Sequence, residues 1–205
     1  MTFKTTGHIF YGMAPKENIK ERLLDQGIQL ITESGYHGTG LKKILDTVKV
    51  PKGSFYNYFE SKEAYVAQII RRYSENTVRQ VDAYLETTRD DPLTALKNIF
   101  AVAIHHLSET GNQGCLNGNL AGEIGGSVPA CQAALQDGVR MWKDRLSGLI
   151  EKAQSAGQIR TDISPELLSD MLWDIWQGGL LRIRIDRDTT YLNEMITTIL
   201  DKLLR

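Results

Sequence analysis

Residues 36–63 read YHGTGLKKILDTVKVPKGSFYNYFESKE, and the spacing of apolar residues within them decides the fold. Leu41, Ile44, Leu45 and Val48 recur at helical intervals, which predicts a short amphipathic helix over 40–48 with Thr39 as its N-cap. Val50-Pro51-Lys52-Gly53 permits only a tight connection before a second short helix, predicted over 52–58 and held by Phe55 and Phe59. That second helix is too short to bury much, yet it is dense in groups that reach phosphates and base edges. Two short helices joined in this way form a helix-turn-helix, whose second member lies in the major groove of DNA.

A major-groove reader needs backbone close to phosphate and long polar side chains at the bases. Lys42 and Lys52 supply cations, Ser54 and Asn57 supply donors and acceptors, and Tyr56 and Tyr58 supply hydroxyls at phosphate distance. Gly53 lets the backbone approach, and Thr39 completes the front of the unit. Lys62 falls in the first turn of the next helix, where a cation opposes the helix dipole. Opposite a phosphate the same placement becomes favourable, so Lys62 joins the candidate set. The competing interpretation is a three-helix cap with a solvated, charged face.

Working outward, the overall charge of −1 hides an uneven distribution. Residues 1–62 hold nine Lys/Arg against six Asp/Glu, leaving fifteen against nineteen for the rest, so a basic head sits on an acidic body. With 205 residues, 41% of them apolar, the chain has material for one large or two small globular domains. Two cysteines make no disulfide framework, and no secretory signal or membrane-length apolar run is present, so a cytoplasmic protein with reduced thiols is expected. Residues 1–15 show no helical period and are expected to be a disordered leader.

The remaining chain is helical in pattern, with Pro15, Pro51, Pro92, Pro129 and Pro165 each near the start of an apolar-periodic run. Helices are predicted over about 16–34, 61–88, 92–109, 128–156, 165–185 and 190–204, besides the two short ones and a further one near Cys115. The fold class is therefore all-α with about nine helices. A helix-turn-helix domain is expected over 16–62 and a larger helical domain over 63–205. The last two helices carry Leu168, Met171, Leu172, Ile175, Gly179, Met195, Ile199 and Leu203, a set that suits either an intrachain core or a partner subunit. Periodicity alone does not separate the two.

Residues 114–123, GCLNGNLAGE, are the second informative stretch. No Lys follows its glycines as a phosphate loop requires, so nucleotide binding is not expected. Cys115 at the start of a short helix would meet free N–H groups that favour thiolate, making it a candidate sensor of electrophiles or oxidants; a small buried apolar residue is the alternative. Asn117 and Asn119 are candidate pocket groups, because polar side chains in such a turn need partners. Trp142 and Trp176 fit either a pocket wall or core. His105 and His106 diverge by about 100° on a helix and share no metal face, so neither metal nor cofactor is expected.

From Lys16 to about Tyr73 the chain resembles the N-terminal domain of TetR-family transcriptional regulators. The matching residues are Gly35-Tyr36, Thr39, Ile44, Val50-Pro51-Lys52-Gly53-Ser54-Phe55-Tyr56, Tyr58-Phe59 and Ser61-Lys62-Glu63. The resemblance implies a DNA-reading head on a ligand-binding, dimerising body, with the last two helices pairing as a four-helix bundle on a near-palindromic operator. Gly40 departs from it, since the family often has a hydroxyl residue there. The Gly-Cys-Leu segment is similar to a subgroup that includes N-ethylmaleimide-responsive repressors, which implies a sensing role for Cys115; Arg184 stands where that subgroup has a lysine. The resulting expectation is a homodimeric repressor released from double-stranded DNA by a small-molecule effector. An architectural DNA binder without ligand is the alternative. An enzyme would need a convergent catalytic set that the four histidines and two cysteines do not supply.

Overall fold

The structure, a computed structural model, describes residues 19–205 except Thr110 and Asn112. The predicted leader over 1–15 lies outside the described residues. Among the described residues all regular structure is helical: α1 (Ile19–Gly38), α2 (Leu41–Val48), α3 (Lys52–Phe55), α4 (Lys62–Thr87), α5 (Pro92–Glu109), α6 (Leu116–Ile124), α7 (Pro129–Ser155), α8 (Pro165–Asp186) and α9 (Thr190–Thr198). A π-helical turn, Ile199–Leu203, finishes α9, which the sequence presents as one continuous helix. The all-α expectation is met.

Local chemistry explains most boundaries. Ser61 caps α4 by accepting a hydrogen bond from Ala64 N at 3.1 Å, and Ser164 caps α8 by accepting from Leu167 N at 3.2 Å. Pro92, Pro129 and Pro165 each occupy the first position of a helix, where no N–H is needed. Two expectations in the head are corrected. The N-cap of α2 is Gly40, with no side-chain bond, while Thr39 is fully buried and donates its hydroxyl to Leu30 O at 3.1 Å. The helix α3 ends at Phe55, and residues to Phe59 continue as tight turns, with Tyr58 N and Phe59 N both donating to Phe55 O. One extra turn of chain in α1, past the predicted stop at Ser34, includes a break at Gly35.

Two apolar cores hold the helices. The first joins Leu23, Ile31, Ile44, Phe55, Phe59, Tyr65 and Ile69 to Leu116, Leu120, Ile124 and Cys131, so the head packs continuously onto α4, α6 and the start of α7. Its centre is an aromatic cluster, with ring centroids of Phe55, Phe59 and Tyr65 between 4.8 and 5.3 Å apart. Tyr65 donates its buried hydroxyl to Leu23 O at 2.6 Å, and Gly27 makes room for that ring. The second core joins α5, α7, α8 and α9 through Leu96, Ile150, Leu168, Leu172, Ile183, Leu192 and Leu200. The long α4 packs along α7, braced where Arg145 grips Asp82 at 2.7 and 3.0 Å.

The apolar content of α8 is split between two faces. Leu168, Leu172, Gly179 and Ile199, expected at a subunit interface, are buried within this chain instead. Gly179 serves the internal contact, since a side-chain carbon there would collide with Leu192 of α9. Ile175 and Met195 are half-buried against the second core, whereas Met171 and Leu203 are exposed. The reason is geometric: a helix apolar on two sides offers one to its own core and leaves the other outside.

Candidate functional site

The helix-turn-helix is built on a rigid floor. Ile44, Leu45 and Val48 of α2, with Phe55 and Phe59, face the first core and turn the polar residues outward. Lys49 adopts a left-handed conformation, φ 57°, and its N–H donates to Leu45 O and Asp46 O, which ends α2 in a single residue. Val50 N donates to Leu45 O at 3.0 Å, and Pro51 then starts α3. Ser54 N donates to Pro51 O at 2.9 Å, which closes the first turn of α3.

Seven of the nine DNA-contact candidates are displayed by this frame. Lys42, Lys52, Gly53, Tyr56 and Asn57 are exposed, while Ser54 and Tyr58 are half-buried. Tyr56 stands edge-on to Phe55, centroids 5.4 Å apart, leaving about half its surface (52%) in solvent. Open space surrounds Gly40 and Gly53, so either backbone can approach a large ligand. The structure adds Lys43 and Lys49, exposed beside the others. Sequence spacing hid Lys49 because it lies in the connection rather than on a helical face.

The other two candidates point inward. Thr39 is buried, as described above, and supports the segment without facing DNA. Lys62 donates to Tyr36 O at 2.8 Å and lies over the Tyr36 ring at 4.0 Å. Its ammonium therefore has partners inside the protein, and the end of α1 supplies the negative pole that a phosphate was expected to supply. Burial lowers the Lys62 pKa, with Glu63 and Glu123 acting against that shift.

Of the five effector candidates, Cys115, Asn117 and Asn119 lie on α6 or at its cap, Trp142 lies on α7 and Trp176 on α8. Cys115 is the N-cap of α6, rather than its first helical residue, and is half-buried, with its sulfur 3.9 Å from the Tyr73 hydroxyl. Burial and the neighbouring thiol push the Tyr73 phenol well above its ordinary pKa, keeping it a neutral donor. Asn117 is buried and donates to Ser74 Oγ at 2.8 Å; its Oδ1 has no partner among the described residues, and neither does Gln177 Nε2. Arg184 donates to Asn119 Oδ1 at 2.7 Å, and Asn119 Nδ2 donates to Gln113 O at 3.0 Å, so this arginine fastens the segment beside Cys115. Trp176 packs on Phe100 at 5.2 Å and Trp142 on Trp173 at 6.3 Å, both against the second core. A surface concavity of about 890 Å³ runs along α7 between α6 and α8 and is lined by none of the five. Among the described residues no three His, Cys, Asp or Glu side chains form a metal-binding group, and no helix is long and apolar enough to cross a membrane.

An exposed, basic helix-turn-helix on a larger helical body defines a DNA-binding regulator. Comparison with known proteins gives the family. Residues 23–69 match the model of bacterial regulatory proteins of the tetR family, and residues 92–199 match the tetracyclin repressor-like C-terminal domain. The HTH-type transcriptional repressor DhaR of Mycobacterium sp. (strain GP1) is 34% identical over 91% of this chain and 92% of its own length. The HTH-type transcriptional repressor NemR of Escherichia coli (strain K12) is 27% identical over 84% and 87%. NemR in its reduced form superposes with a TM-score of 0.81 at 24% identity, covering 92% of this chain and 98% of that one. The regulatory protein TetR from Rhodobacter sphaeroides superposes with a TM-score of 0.82 at 29% identity, covering 90% and 98%. The chain belongs to the TetR family. It is a DNA-binding transcriptional regulator.

Proposed function

We propose that this regulator is a repressor that acts as a homodimer on a near-palindromic operator and leaves it when a small-molecule effector, or a reactive compound at Cys115, engages the body. The observation that carries the DNA half is the outward display of Lys42, Lys49, Lys52, Tyr56 and Asn57 on a frame fixed by buried Phe55 and Phe59. Cations placed there neutralise phosphates, and Tyr56 and Asn57 stand exposed just past the end of α3 for base or backbone contacts. The dimer is supported by α8, where Leu167, Met171, Leu181 and Ile185 expose 53, 47, 64 and 75% of their surfaces. With Asp174 and Gly178 they form one stripe at alternating steps of four and three residues, the repeat of a helix-pairing seam.

The effector half draws on the polar surroundings of α6. Asn117 Oδ1 and Gln177 Nε2 offer an unfilled acceptor and an unfilled donor, and the half-buried Cys115 thiol sits beside Tyr73. Similarity to NemR, whose reduced form has been solved, supports a thiol-based signal. An activated alkene such as a maleimide would take the Cys115 thiolate onto one alkene carbon, the S–C bond forming as the C=C π bond breaks and the neighbouring carbon taking a proton from solvent in place of the one the thiol gave up. Any signal must favour one conformation of the body over another to release DNA. Selection from a random DNA library with a salt titration tests the first half: binding equal for all sequences would leave only an architectural DNA binder. For the second, wild-type protein and Cys115→Ser are treated with N-ethylmaleimide and followed by intact mass and DNA release. Release should be lost in Cys115→Ser; equal release from both would exclude covalent sensing at this residue.

A further inference from the structure

Glu123 lies in the last turn of α6, and its carboxylate reaches the head. One oxygen accepts hydrogen bonds from Tyr36 N at 2.9 Å and His37 N at 3.3 Å, residues 87 and 86 positions earlier in the chain. Those N–H groups are released from α1 by Gly35, whose φ of 72° and ψ of 179° break the helical path. That conformation favours glycine, and a side-chain carbon at Gly35 would also collide with the Glu123 carboxylate. The carbonyl of Tyr36 is held from the other side by Lys62 of α4, and the Tyr36 hydroxyl donates to Glu63 at 3.2 Å. The turn is thus gripped by α6 and α4 together.

We propose that Glu123 is a positioning residue for DNA reading, clasping the Tyr36–His37 turn so that α6 sets the angle at which α2 and α3 stand on the body. Only Gly38, Thr39 and Gly40 separate this turn from α2, so fixing the turn fixes the start of the reading segment. The other end of the clasp is stiff. Leu116, Leu120 and Ile124 of α6 are fully buried in the first core, and Glu123 does not shift far unless α6 moves. A carboxylate suits the place because two N–H donors converge on one oxygen, and an ionised acceptor binds them more strongly than a neutral one.

The inference rests on the DNA-reading role proposed above, and the test separates the two. Full-length wild type, Glu123→Ala and Glu123→Gln are compared by amide hydrogen exchange and by affinity for the operator selected with wild type. In Glu123→Ala the Tyr36 and His37 amides should exchange at least about tenfold faster, with core amides such as Ile150 unchanged. Operator affinity should fall about tenfold, and the penalty for adding one base pair between half-sites should shrink as the heads gain freedom. Glu123→Gln keeps an acceptor oxygen and should recover most of both. Unchanged exchange overturns the proposal, as does faster exchange with wild-type affinity and spacing preference. A wild-type chain that enriches no sequence would refute the DNA-reading role before any variant is compared, while exchange would still decide whether Glu123 holds the turn.

Discussion

At the scale of single residues, the seam between head and body is organised by partners that no local pattern announces. Lys62 and Glu63 open α4, and both contact Tyr36: the lysine through the carbonyl and ring face, the glutamate through the phenol. The Glu63 carboxyl is held below its ordinary 4.5 by a backbone hydrogen bond at the start of α4 and by Ser61, with smaller help from Tyr36 and Lys62. A carboxyl whose folded value lies below its unfolded one adds stability that is complete above pH 4.5 and is lost as pH falls through the folded value. Glu63→Gln should therefore flatten the loss of stability as pH falls below 4.5, read from urea midpoints. The same loss in both proteins would show that Glu63 takes no part in it.

At the scale of elements, α2, the Lys49 turn and α3 form a display unit, and its cations differ in what they do. Lys42 and Lys52 are exposed, so alanine at either should reduce the slope of log affinity against log salt by about 1 and leave unfolding unchanged. Lys62 is half-buried and already bonded to Tyr36 O, so Lys62→Ala should cost stability, about 1–2 kcal/mol, whatever it does to DNA affinity. Titration calorimetry or fluorescence anisotropy over a salt series, beside thermal melts, separates the two behaviours. An unchanged melting temperature for Lys62→Ala would return that residue to the DNA-contact set. The helix α6 carries Cys115 at its N-cap and Glu123 in its last turn, so one short rod spans from the candidate sensor to the head.

At the scale of the whole molecule, the two cores and the outer stripe of α8 divide the labour. Because Met171 and Leu181 project from the surface, an aspartate at either should leave the subunit folded. Such a charge should split the proposed dimer, seen as a halved mass in sedimentation, and operator affinity should drop by at least about a hundredfold as bivalent binding is lost. An aspartate at Leu172 buries an unpaired charge in the second core and should unfold the subunit itself. A Leu181→Asp protein that remained dimeric at wild-type mass would place the interface elsewhere.

The sequence by itself determined the helices, the helix-turn-helix and seven of the residues it displays, because those follow from short-range periodicity, caps and proline placement. Ser61, Ser164 and the prolines set their boundaries locally, and Phe55 and Phe59 had to face inward once α3 was short. Tertiary structure decided the partners. Thr39 turned inward to Leu30 O, nine residues back on α1, and Lys62 turned to Tyr36 O, 26 residues back, because each found a carbonyl on another element. The two apolar faces of α8 were indistinguishable by period until α9 and α7 covered one of them, leaving Leu167, Leu181 and Ile185 outside. Glu123 carries no motif, and its place at the head depends on a contact made 87 residues away. Local order is written in local spacing, whereas contacts between distant segments exist only after the chain has folded.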